Sequence, residues 1–250
     1  MASPASVILK ELLQVFVVLA ATLVIAFIRR ESLAVYGLPW RKAFGRDFWL
    51  GAVWGFVILS AIVGLMAATH SYSLGPLALS GPEMLSFGLQ WAAAFLLVGL
   101  AEELAFRGYL QYALTMRMGF WPASLITCLF FGFAHRNNPG ENWVGLANIV
   151  VIGAFACVAL RRTGSLWFPI GWHMAFDWGE SFFYSVPDSG QRVAGHLFNA
   201  WVGGSPWLTG GSVGPEASVF NLVVTLAGVA LLLRLYPDAR YPQRSIVLEP

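Results

Sequence analysis

The stretch VGLAEELAFRGYL, residues 98–110, places two adjacent glutamates and an arginine inside a run otherwise built for hydrocarbon. A charged side chain at the centre of a bilayer costs at least ~2.5–3.5 kcal/mol on insertion scales, so Glu102, Glu103 and Arg107 are functional candidates by default. Spacing explains part of the pattern. Glu103 and Arg107 are four residues apart, share one helical face in the favourable acid-first order, and can neutralise each other. Glu102 is rotated from Glu103 by about 100° and points elsewhere. The stretch reads as one paired and one unpaired carboxylate.

Composition sets the class. The 250 residues are 58% hydrophobic and 11% charged, against roughly 25% charged in an ordinary soluble domain. So little charge cannot cover a globular surface, and apolar runs of about 20 residues match the thickness of the hydrocarbon core. The expected fold is an all-α integral membrane protein. It is a single membrane domain over residues 1–250, a bundle of about seven transmembrane helices with an intramembrane polar site. The runs are Val7–Ile28, Phe48–Ala68, a third from Gly81 towards Met118, Phe120–Ala134, Trp143–Leu160, Ser165–Tyr184 and Ala217–Leu235. The first is longer than a signal-peptide core, with no small-residue cleavage site behind it, and is expected to stay. Trp40, Trp49, Trp143 and Trp167 fall near helix ends and read as interface anchors.

Basic residues gather in the linkers after the first, third and fifth runs and after the last. The positive-inside rule therefore puts the N-terminus outside and the C-terminus in the cytoplasm, with linkers 69–84, 135–142 and 185–216 facing out. The scarcity of lysine beside arginine suggests a bacterial inner membrane. A net charge of +2 without a dense basic cluster argues against a nucleic-acid partner. Cys128 and Cys157 lie in apolar runs and read as small buried hydrophobes.

The remaining polar residues of the apolar runs converge. Glu102 lies seventeen residues before the turn near Gly119 and His135 sixteen after it. At about 1.5 Å per residue both stand roughly 25 Å from that turn. His173, nine residues past Gly164, reaches a depth of about 14 Å, the same level once the third run overshoots the membrane by ~10 Å. Asp177 is four residues beyond His173 on the same face. One unpaired carboxylate and two imidazoles at one depth suit hydrolysis by activated water, with a second His–Asp face for the developing oxyanion. Two histidines and a glutamate are also a legitimate zinc set, Glu102, His135 and His173. No H-E-x-x-H helix is present, and GGSVG (210–214), in a Gly-rich stretch that reads as a flexible loop, supplies no serine elbow.

The segments EELAFR (102–107), FGFAH (131–135) and HMAFD (173–177) resemble the three motifs of the CPBP family. These are the CAAX-protease and bacteriocin-processing proteins, also called Abi, which include the type II CAAX prenyl endopeptidases. The resemblance covers residues 85–184, and through LTGGSVGPEAS extends to about 235. It implies an intramembrane endopeptidase acting on a peptide or protein substrate at the bilayer. Glu102 and His135 would activate water, His173 and residue 177 would stabilise the oxyanion, and Glu103 and Arg107 would support them. The family is commonly labelled metalloprotease. A metal-free glutamate mechanism with no cofactor is favoured, a divalent metal such as zinc being the other option. Many members carry asparagine where this chain has Asp177. An ionised aspartate cannot donate to an oxyanion, so Asp177 is expected to orient His173 by accepting its N–H. The alternative reading is a catalytically silent scaffold or immunity partner with the same fold. An ion carrier is disfavoured because no internal repeat is visible.

Overall fold

The structure, a computed structural model, describes residues 1–242; the extreme C-terminus, expected in the cytoplasm, lies outside the described residues. It is a helical bundle, with α1 over Pro4–Arg29, α2 over Arg46–Ala68 and α3 over Pro82–Arg107. The expected continuous third helix is instead broken. At Gly108 the backbone leaves helical geometry (φ −78°, ψ −124°) and restarts as α4, Tyr109–Met118. Gly119, with φ +84°, turns the chain into α5, Phe120–Ala134. Asn142 accepts from the amides of Val144 and Gly145 to open α6, Trp143–Thr163, which closes on Gly164 in the left-handed region. Then come α7, Trp167–Trp178, a single π-helical turn over Gly179–Phe183, a short α8 at Pro206–Thr209 and α9 at Val219–Leu235. The segment Gly214–Glu216 reads in the sequence as the start of the last helix. It forms a 3₁₀ turn instead, Pro215–Ala217, and α9 begins only after the Ser218 hydroxyl caps the Asn221 amide.

Four elements are long and apolar enough to cross a membrane: α1, α2, the broken α3–α4 pair and α6. With α5 at 15, α7 at 12 and α9 at 17 residues, the others fall short of the roughly 20 a full span needs. The chain is a helical membrane protein, but helix length does not carry the count of seven.

The short α7 is nonetheless central. Gly51 and Gly55 of α2 face the α7 backbone so closely that a Cβ on either would strike the carbonyl oxygens of Phe168 and Trp172, and one on Gly171 would strike that of Phe48. Small residues four apart let two membrane helices meet backbone to backbone. This seam sets the rotation of α7. Gly99 of α3 then admits α7 from the other side, a Cβ there lying 3.2 Å from the Ile170 oxygen.

The loops group at two ends. Strands β1 (Tyr72–Ser73) and β2 (Trp201–Val202) pair antiparallel, Ala2 bridges to Val193, and the Gly190 amide donates to Val213. At the other end the Leu166 amide donates to Gly37 and the Arg240 amide to Arg161. This is the grouping of loops that the basic residues predict. Trp40, Trp49 and Trp143 are exposed as anchors should be, whereas Trp167 is buried and donates its indole N–H to Pro39. Cys128 and Cys157 are buried free thiols with sulfurs 3.7 Å apart.

Replacing Gly55 by leucine is expected to force α2 and α7 apart. Overpacking of this kind costs about 1–3 kcal/mol, read as a fall in melting temperature of the detergent-solubilised protein.

Candidate active site

Three elements deliver the polar residues to one cavity of about 620 Å³, lined by Glu102 from α3, His135 at the end of α5, and His173 and Asp177 from α7. Helix α1 closes a flank with Lys10, Glu11 and Gln14. Glu103 and Arg107 stand behind the cavity wall, 1% and 0% exposed.

The arrangement starts from Glu103. Its Oε1 lies 3.3 Å from Arg107 Nη1, the pair that the spacing predicts, and also accepts from His173 Nδ1 at 3.1 Å. The second contact ties α3 to α7 and gives His173 a partner besides the expected Asp177. Glu103 holds the His173 ring at Nδ1, and Asp177 Oδ2 approaches the opposite nitrogen, Nε2, at 3.5 Å. Glu102 Oε2 also faces Nε2, at 3.7 Å, and has no hydrogen-bond partner. The free carboxylate expected from spacing is therefore Glu102.

Phe131 links the arginine to the second histidine. Its ring carries the Arg107 guanidinium 4.1 Å above one position and packs edge-on against the His135 ring with centroids 4.6 Å apart. The Phe131 carbonyl is 2.8 Å from His135 Nδ1. A carbonyl only accepts, so Nδ1 carries the proton and Nε2 is left as an acceptor. Gly153 makes room for this assembly, since a Cβ there would lie 2.7 Å from Arg107 Nη2.

Zinc holds its nitrogen and oxygen ligands at about 2.0–2.2 Å, which requires donor atoms to crowd together. Among the described residues, the trio of such donors lying within 4.8 Å of one another is Glu180, Asp188 and Glu216, not Glu102, His135 and His173.

Several polar residues here are not among the sequence candidates. Glu11 is buried in α1, paired with Lys10 at 3.0 Å and accepting from Gln14. Glu180 is fully buried in the π-helical turn, and Asp188 and Glu216 line the far end of the cavity. Burial, and then the neighbouring Glu216 carboxylate, push the Asp188 carboxyl up to about 8. The rule that flags Glu102, charge inside an apolar run, applies equally to Glu11 and Glu180. Asn148 makes the interhelical hydrogen bond its position suggests, donating to the Ser218 carbonyl.

Fold and site define a helical membrane protein with a buried carboxylate–imidazole centre. Residues 84–179 match the family model of the type II CAAX prenyl endopeptidase Rce1-like proteins. That match bears out the resemblance, spans all three motifs and is similarity to a protease family; it ends before the LTGGSVGPEAS segment. No curated protein and no solved structure matches the chain.

Removing one partner of a buried ion pair costs about 3–5 kcal/mol because the other charge is left unpaired. Glu103→Gln should therefore lower the melting temperature sharply, whereas Glu102→Gln, which breaks no hydrogen bond of the structure, should leave it within about 0.5 kcal/mol of the parent.

Proposed function

We propose that the chain is an intramembrane endopeptidase in which water, activated by Glu102 and His135, attacks a peptide carbonyl. The observation that carries this reading is the common cavity: a carboxylate with no hydrogen-bond partner and two imidazoles, each held through its Nδ1, line the same space. A water between Glu102 and His135 Nε2 meets two acceptors, so both its hydrogens are held and a lone pair is free for the carbonyl. Glu102 takes the proton as the new C–O bond forms, then returns it to the departing amine.

His173 serves the oxyanion. Carboxylate oxygens face both its ring nitrogens, and the doubly protonated ring has a donor on each side. Its Nδ1–H is committed to Glu103, which leaves Nε2–H for the charge developing on the carbonyl oxygen. Asp177, beside that nitrogen, steadies the charged ring and does not itself donate. Glu103 and Arg107 are positioning residues.

No step of this mechanism passes through a metal. In the same reading α5, α7 and α9 complete a bundle of seven membrane-embedded helices, the N-terminus lies outside, and the site serves a bacterial inner membrane. The substrate is a peptide or protein segment at the bilayer; prenylation is not assigned.

The test is cleavage of a peptide library by the purified, detergent-solubilised protein, with Glu102→Gln and His135→Ala beside the parent, each with and without a strong chelator. Loss of general-base catalysis lowers the rate by about 10²–10⁴-fold, and both variants should show this while melting like the parent. Activity should survive the chelator. Full activity in Glu102→Gln, or cleavage that the chelator abolishes and zinc but not calcium restores, would overturn the mechanism.

A further inference from the structure

At the loop end of the cavity, three carboxylates from three separate segments meet: Glu180 in the π-helical turn, Asp188 in the following loop and Glu216 ahead of α9. One carboxylate oxygen from each lies within 4.8 Å of the other two. We propose that this cluster is a divalent-cation site, built for calcium, that fastens the loop over residues 185–218 to the end of α7.

An acidic cluster alone would not carry this; Glu180 does. It is 0% exposed, and neither of its carboxylate oxygens has a hydrogen-bond partner. No lysine, arginine or histidine comes within 4 Å of any of the three carboxylates among the described residues. Leaving an ionised carboxylate buried and unpaired is costly, and adding two more carboxylates compounds it.

The surroundings fix the other two without neutralising them. Ser181 Oγ donates to Asp188 Oδ2 at 3.0 Å, and the Ser189 amide and hydroxyl donate to Glu216 Oε2 at 2.8 and 2.9 Å. Asp188 and Glu216 thus keep one oxygen each without a protein donor, and Glu180 keeps both. The backbone is shaped to hold them together. Gly214 sits at φ +112°, with its α-carbon pressed so close to the Pro187 carbonyl that a side chain would collide with it. That contact brings the Glu216 segment against the Asp188 segment.

The donor set selects the ion. It is all oxygen, which excludes the softer metals that prefer nitrogen and sulfur. Its carboxylates come from irregular backbone, and calcium accepts 6–8 oxygen ligands at 2.3–2.6 Å in flexible geometry, whereas magnesium demands a near-ideal octahedron. Water from the adjoining cavity completes the shell. The role is structural: the ion braces one rim of the cavity.

The experiment is thermal unfolding of the full-length protein in detergent, stripped with chelator and then titrated with calcium or magnesium chloride. The parent should rise saturably with calcium, by roughly 5–10 °C at concentrations 100-fold above its Kd, and less with magnesium. Glu180→Gln should lose the calcium response and, in chelator, melt no lower than the parent, because it removes one of three repelling charges. Glu102→Gln should keep the full response, which places the ion away from the hydrolytic residues. If Glu180→Gln does not accumulate, Asp188→Asn at its half-buried position carries the same expectation. Equilibrium dialysis of the parent with radioactive calcium should give one ion per chain. Absence of saturable binding, a response that survives Glu180→Gln, or one lost in Glu102→Gln would overturn the proposal.

Discussion

The Glu103 carboxylate lies in the interior between the Arg107 guanidinium at 3.3 Å and the His173 ring at 3.1 Å. An anion can stay there only because cationic donors reach it from its own helix and from α7. The arginine cannot leave without stranding the glutamate, and the histidine cannot rotate without losing its Nδ1 acceptor. Through the Phe131 ring the arginine also backs His135. One ion pair thus fixes both imidazoles, and Glu102, one residue away, is the carboxylate left over. The two adjacent glutamates are held differently: Glu103 is paired between α3 and α7, and Glu102 has no hydrogen-bond partner.

That pair works only if the helices approach closely enough, and glycines decide this. The α2–α7 seam at Gly51, Gly55 and Gly171 brings backbones to a separation that any larger residue would prevent, and the α3–α7 contact at Gly99 leaves a Cβ only tight room. In a bilayer the hydrophobic effect does not press helices together, so such contacts and the polar bridges must do so. A bulkier residue on α2, far from the cavity, is therefore expected to move His173 by moving α7.

Much of this could be read in the sequence because helical geometry is periodic. Heights along a helix follow from residue counts, and faces from spacing, so the convergence of Glu102, His135 and His173, and the Glu103–Arg107 pair, follow from the positions alone. What spacing cannot supply is rotation of one helix about another. The Glu103–His173 bond depends on that rotation, so spacing offers Asp177 as a partner of the ring and does not reveal Glu103. The Gly108 break and the π-helical turn at Gly179–Phe183 are departures from the period itself. The Glu180–Asp188–Glu216 cluster joins segments with no common period, and loop closure rather than helix geometry creates it.

In the proposed mechanism water, not a side chain, attacks the peptide bond. The decisive measurement is a single-turnover cleavage in ¹⁸O-water, with enzyme in excess over a peptide substrate. Water activated by Glu102 predicts one ¹⁸O in the new product carboxyl in the first turnover, with no peptide covalently held by the enzyme. An acyl-enzyme trapped on Glu102, or a first-turnover product lacking the label, would contradict the account.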